Sequence, residues 1–217
     1  RSSAASDVYK RQGYRDRRFM GFRDLRVLNE DRISGGGGFP MHGHQEMEIL
    51  TYVLDGALEH RDSLGNGGII KPGLVQRMSA GTGIRHSEFN PSRTKTTHLM
   101  QIWIHPRVRR ARPGYAEKQI AAPDPRQPIQ LIASPTGSGG SIRMNTTANI
   151  YRGLLKATKS TKFQIANRRH MWLQMARGAI VANGKTLSAG DAAFTNTAGL
   201  VKMKATQDAE FLLFDLA

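Results

Sequence analysis

Turn signals recur along this chain at short intervals, and the apolar segments between them run about four to eight residues, long enough for a β-strand and short for a helix. From Gly21 onward, Gly36 to Gly38, Asp55-Gly56, Gly65 to Gly68 and Pro72-Gly73 punctuate Leu25 to Asn29, Glu48 to Leu54, Ala57 to Arg61, Val75 to Ser79 and His98 to Ile104. This rhythm predicts an all-β fold. Tyr52 to Arg61 reads as a hairpin turning at Asp55-Gly56, and Ser63 to Gly68 as the next turn, with Asn66-Gly67 its strongest local signal. Pro106 to Gly140 is rich in proline, glycine and arginine, and a second strand block follows it. That block starts near Ile142 and continues through Tyr151 to Lys156, Lys162 to Ile165, Met171 to Met175, Ala179 to Val181, Ala192 to Thr195 and Phe211 to Asp215. Both blocks repeat strand, Gly turn, strand, then a Pro-Gly or Ala-Gly turn, as in VLDGALEH…KPG and QMARGAIVANGKTLSAGD, which points to two related barrels in tandem.

Composition narrows the class. A chain of 217 residues with 39% hydrophobic content can build one large or two small globular domains, and it has no apolar run near the ~20 residues of a membrane span. The absence of cysteine removes disulfides, thiolate ligands, iron–sulfur clusters and cysteine nucleophiles together, so any metal must be held by nitrogen and oxygen. Arg1 to Gln12 (RSSAASDVYKRQ) has no apolar core of the kind a secretory signal carries, and residues 1–12 read as a non-native or disordered tail. The expected organisation is a metal-binding first barrel over 13–112, a connection over 113–140 and a second barrel over 141–217. A cytoplasmic monomer is the expected state.

The candidate chemistry lies between Phe39 and Asn90. His42 pairs with His44, and His86 with Glu88, each at i and i+2 in segments that read as strand, so each pair places two donors on one face. A histidine on a strand is more often a half-buried surface or core residue than a ligand. Two same-face pairs in one domain, using three of the seven histidines, favour a site of three imidazoles and a carboxylate. Such a set suits Fe(II), Mn, Ni, Cu(II) or Zn, and spacing does not choose among them. The second block holds His170 alone and is expected to be metal-free. His60 and His98 read as surface or packing residues, and Phe39, Met41, Met47, Met78, Met100 and Trp103 as ordinary core. Gly35 to Gly38 lacks the Lys-Ser/Thr and helix of a phosphate loop and reads as a turn.

FPMHGHQEMEILTYVLDGALEHRDSLGN, followed by MSAGTGIRHSEFN and HLMQIWIHP, resembles bacterial pirin-like proteins of the cupin superfamily. The resemblance is close over Phe19 to Pro106 and looser over the carboxyl half, with NIYRGLL, MWLQMARG and FLLFDL. It implies a bicupin of two jelly-roll-type barrels. Several bacterial members are quercetin 2,3-dioxygenases, which open a flavonol with O2 and release carbon monoxide, while the animal homologue is an iron-dependent transcriptional cofactor. Carried onto this sequence, the resemblance makes His42, His44, His86 and Glu88 the metal ligands and Fe(II) the first expectation, with Mn, Ni, Cu and Zn as alternatives. Glu48 stands at the HxHxxxE spacing of the carboxylate ligand in many cupins, on the expected strand face of His44. Pirin-like proteins take their carboxylate from the later HxE, so Glu48 is assigned an outer supporting or packing role. Glu88 is the candidate base for the flavonol hydroxyl. The alternative reading is a non-enzymatic regulatory or interaction protein whose cupin site senses redox state. The family also carries an additional N-terminal segment that this sequence lacks, so the chain is expected to be a fragment.

A net charge of +15 and a pI near 10.8 keep a polyanion partner in view. The densest patch, Arg107, Arg109, Arg110 and Arg112, has no interleaved aromatics or nucleic-acid motif and reads as a solvated face. The expected partners are therefore a flat aromatic flavonol and O2, not nucleic acid or membrane.

Overall fold

A computed structural model of the chain describes residues 5–7, 21–121 and 124–217. Most of Arg1 to Gln12, and with it the reading of that tail as non-native, lies outside them. The described residues divide into two compact units, 5–120 with 142–146, and 121–141 with 147–217.

The first unit is built from β1 (Ala5–Asp7), β2 (Leu25–Ile33), β3 (Gly38–His44), β4 (Glu48–Asp55), β5 (Leu58–Asp62), β6 (Gly67–Ile70), β7 (Leu74–Ser79), β8 (Ile84–Phe89), β9 (Thr97–Ile104) and β10 (Gly114–Gln119), with β12 (Ile142–Arg143) returning to it. One sheet has the order β1-β2-β9-β4-β7-β10 and the other β3-β8-β5-β6, the two layers of a jelly roll. β4 and β9 are central, and their near-continuous apolar runs are buried at almost every position. On β8 burial alternates, with Ile84, His86 and Glu88 inside and Arg85 and Phe89 outside. The interior packs Ile33, Val53, Leu58, Ile70 and Leu99 in one cluster and Ile49, Met78, Ala80 and Ile84 in another. Apart from the small Ala80, each such side chain contributes about 1.5–3 kcal/mol by leaving water.

The second unit contains β11 (Ile129–Ser134), β13 (Asn149–Leu155), β14 (Ser160–Ile165), β15 (His170–Arg177), β16 (Ala179–Ala182), β17 (Lys185–Ser188), β18 (Ala192–Thr195), β19 (Gly199–Ala205) and β20 (Ala209–Leu216). Its sheets run β11-β13-β20-β15-β18 and β14-β19-β16-β17. β20 is the central apolar strand, and β19 alternates Val201, Met203 and Ala205 inward with Lys202 and Lys204 outward. Gly153 lies across from Phe211, where a Cβ would come within 2.1 Å of the ring, so the aromatic occupies the space a larger residue would need.

Two local expectations change. β4 and β5 do not pair with each other: β4 pairs with β7 and β9, and β5 with β6 and β8. The Asp55-Gly56 turn, with Gly56 at φ 78, therefore carries the chain from one sheet to the other. The hairpin lies one turn later, between β5 and β6, and its left-handed residue is Gly65. The connecting stretch also carries two strands, β10 paired with β7 and β11 paired with β13.

Candidate metal centre

β3 and β8 are neighbours, and their register places His42 directly opposite His86. Phe39 faces Glu88, so one extra residue on β3 is taken up around Pro40 and Met41 as a β-bulge. Proline suits this place because it has no ladder hydrogen to lose, and its carbonyl meets His42 Nδ1 at 2.8 Å. A proton on that nitrogen leaves His42 Nε2 as the free donor atom. His44, two residues on, shares the face of His42.

The rings converge. Centroids of His42 and His86 are 4.4 Å apart, those of His42 and His44 4.8 Å, and those of His44 and His86 4.9 Å. Each imidazole brings a donor atom within 4.8 Å of the other two, and a second trio with the same property, His60, His86 and Glu88, shares His86. Among the described residues both trios lie in the first unit. Nε2 of His44 and Nε2 of His86 are buried without a hydrogen-bond partner. An orphaned buried nitrogen is costly in a protein interior unless something else takes its lone pair, and a cation does so. Burial, aided by the neighbouring imidazoles, pulls His44 down to about 4 and His86 down to about 2. Both are thus neutral near pH 7, the form that binds metal. The donor set fits a divalent transition-metal ion.

Glu88 is buried, and Gln101 Nε2 donates to both of its oxygens at 3.1 and 2.9 Å while Trp103 Nε1 donates to Gln101 Oε1 at 3.0 Å. Desolvation outweighs the amide and raises the carboxyl to about 7. Trp103 also sets its edge against His44, with centroids 4.8 Å apart, and Phe39 lies 6.5 Å from His42. Met78 and Met100 are fully buried core, while Met41 is 46% exposed. Beside His44 opens a cleft of about 400 Å³, lined also by Gln45, Ser63, Ile84 and Arg85.

The expectation for Glu48 changes in geometry. It begins β4, in the other sheet, and so does not share a strand face with His44. Its buried carboxylate accepts from Ser79 Oγ at 2.9 Å and from the Asn145 amide at 3.1 Å. This is packing of a satisfied polar group.

Of the two places expected for His60, surface or packing, the structure excludes the surface. β5 lies on the far side of β8 from β3, pairing His60 with Glu88 and Asp62 with His86. His60 is fully buried, 3.4 Å from His86 through their Nδ1 atoms and stacked on Tyr115 at 4.8 Å. The signal was present as His60-Arg61-Asp62, a same-face pair at the spacing that marks the other two. His98 is a packing residue, bonded to Glu30 at 2.7 Å. In the arginine patch, Arg109 Nε and the Arg110 amide both donate to Glu46, so part of it serves local structure.

Inward-facing histidines on adjacent strands of a jelly roll form a group that could hold a metal ion, and comparisons with known proteins give the family. Residues 9–104 match the Pirin family and residues 131–216 the quercetinase C-terminal cupin domain. A protein of Escherichia coli K12 named quercetin 2,3-dioxygenase is 43% identical over 203 residues, 94% of this chain and 87% of that one. A pirin-like protein of Caulobacter vibrioides is 38% identical over 205 residues, 94% of this chain and 88% of its own length. The crystal structure of YhhW from Escherichia coli matches with a TM-score of 0.90 at 43% identity, over 94% of this chain and 86% of that one. A structure of bacterial pirin YhhW in complex with nickel(II) matches with a TM-score of 0.88 at 42% identity, over 95% and 88%. The chain belongs to the pirin family. No helix among the described residues is long and apolar enough to cross a membrane.

Proposed function

We propose that this chain is a metal-dependent dioxygenase that opens flavonols such as quercetin with O2, using one cation held by His42, His44, His86 and Glu88. The observation that carries the reading is the convergence of three imidazoles, two with buried, unpartnered Nε2 atoms, in a chain whose relatives bear the quercetin 2,3-dioxygenase name. Fe(II) is the first choice of metal, with Mn, Ni, Cu and Zn suited to the same donors. When bound, the cation supplies Lewis acidity and a route for electrons to O2, which side chains cannot supply.

The protein's own residues do the rest. The contact of His42 Nδ1 with Pro40 and the packing of Trp103 against His44 fix two rings in place before any cation arrives. Glu88 is the base that takes the flavonol hydroxyl proton onto a carboxylate oxygen, and the two contacts from Gln101 hold that carboxylate in one orientation. The cleft beside His44 is the approach for a flat ring system, and Arg85 on its wall suits an anionic oxygen.

The test is O2 consumption on adding quercetin to Fe(II)-reconstituted protein, with His86→Ala, Glu88→Ala as the control. Uptake that vanishes in the double variant supports the enzyme. No uptake from folded, metal-loaded protein removes it and favours a second reading, a regulatory protein whose basic surface, net charge +15, meets an acidic partner.

A further inference from the structure

His60 is a buried imidazole against the site for which flavonol oxidation names no duty. We propose that His60 and Asp62 are positioning residues that hold His86 in the tautomer with its proton on Nδ1, so that the Nε2 lone pair faces the point where the histidines converge. This rests on the metal-binding reading above.

His86 Nδ1 and His60 Nδ1 are 3.4 Å apart, and two neutral imidazoles meeting there need one to donate and the other to accept. If His86 donates, the proton of His60 sits on its Nε2, which lies 3.6 Å from Asp62 Oδ2. That contact is just beyond hydrogen-bond length, and it sets a donor against an acceptor. If His60 donates instead, its Nε2 lone pair faces a carboxylate, and the proton of His86 moves to a buried Nε2 with no acceptor, whereas His60 Nε2, also buried without a hydrogen bond, has the Asp62 carboxylate 3.6 Å away. Both ends of the pair oppose that second arrangement, so the Asp62 charge decides the direction of the chain.

Asp62 is itself fixed. Its Oδ1 accepts from the amides of Leu64 at 2.9 Å and Asn66 at 3.0 Å and from Asn66 Nδ2 at 3.2 Å, while Oδ2 accepts from Asn66 Nδ2 at 3.0 Å. The β5–β6 turn thus anchors a line from Asp62 through His60 to His86. Tyr115, stacked on His60 and donating to Glu117, holds the ring plane from the opposite sheet. Outer hydrogen bonds of this kind fix ligand tautomers in metal sites and are typically worth roughly 10- to 100-fold in metal affinity.

The test compares the parent chain with His60→Gln, which keeps an acceptor for His86 and a donor for Asp62, and His60→Leu, which keeps neither. Nickel(II) titration calorimetry is expected to give one equivalent bound, with affinity weakened roughly 10- to 100-fold in His60→Leu and largely restored in His60→Gln. In the metal-free parent protein, ¹⁵N resonances of His86 are expected to show protonated Nδ1 and bare Nε2. Unchanged nickel affinity in folded His60→Leu overturns the proposal. A second nickel equivalent lost in that variant also overturns it, because His60 would then be a ligand. Should His60→Leu fail to fold, the parent spectrum still decides, and a proton on His86 Nε2 refutes the assignment. A parent chain that binds no nickel, Fe(II) or Zn(II) removes the metal reading instead, while the ¹⁵N signature judges the tautomer independently.

Discussion

Replacing Glu88 by glutamine separates the cost of the site from its use. In the metal-free protein desolvation raises the Glu88 carboxyl from 4.5 to about 7. Below pH 4.5 the carboxyl is protonated in the folded and unfolded chains alike and favours neither. Between 4.5 and 7 the unfolded chain releases its proton while the folded chain keeps it, so stability falls as pH rises. Above pH 7 the full penalty is present, about 3 kcal/mol. Glutamine carries no charge and escapes it. Against this, Gln101 Nε2 donates to both Glu88 oxygens, and an amide at position 88 sets its own NH2 against that donor and loses one contact, costing about 1 kcal/mol. The net expectation for Glu88→Gln is a gain of about 2 kcal/mol at pH 8, or about 4–8 °C in Tm for a chain of this size, and no gain at pH 5. The shifts of His44 and His86 are common to both proteins and cancel in the comparison. Thermal unfolding of chelator-treated protein by circular dichroism measures the difference, and nickel(II) added at pH 8 should stabilise the parent far more than the variant. No gain at pH 8, or an equal gain at both pH values, would refute the claim that a buried charge is what the site costs.

Acid should act on the other half of the site. Because His44 is held at about 4 and His86 at about 2, the unfolded chain takes up protons below 6.5 that the folded chain refuses, so metal-free stability should fall from pH 6.5 toward 4. Denaturant midpoints measured across that range should slope less in His44→Asn, and an unchanged slope would count against neutral burial. Gly153→Ala should cost about 3 kcal/mol in guanidinium unfolding, since its Cβ would meet the Phe211 ring, with nickel stoichiometry unchanged; a variant as stable as the parent would show that the ring moves aside. The His86→Ala, Glu88→Ala pair should lose quercetin-dependent O2 uptake, as read by an oxygen electrode.

Strands were legible wherever burial is one-sided or complete. The alternation of Ile84 to Phe89 and the apolar runs of β4, β9 and β20 show in the residues alone, as does the same-face spacing of His42 with His44 and His86 with Glu88. Two other strands were harder to read. β10 and β11 lie in a stretch whose proline, glycine and arginine content conceals them, because a weakly patterned strand is defined by its partners more than by its own residues. The turn at Gly56 was visible, but a turn reverses the chain without stating whether the next strand pairs with the last.

The sequence by itself determined the periodicity of two, the turn positions, the donor types and the faces they occupy, because these depend on neighbours a few residues away. Only the tertiary structure decided which faces meet. The bulge at Pro40 and Met41 brings His42 opposite His86, and the pairing of β5 with β8 sets His60 and Asp62 against Glu88 and His86. The same distant pairings sent Glu48 into the other sheet, where Ser79 and Asn145 satisfy it. Register between strands far apart in the chain is fixed by the packing of the whole barrel, and a slip of one residue would turn each of these side chains to the opposite face.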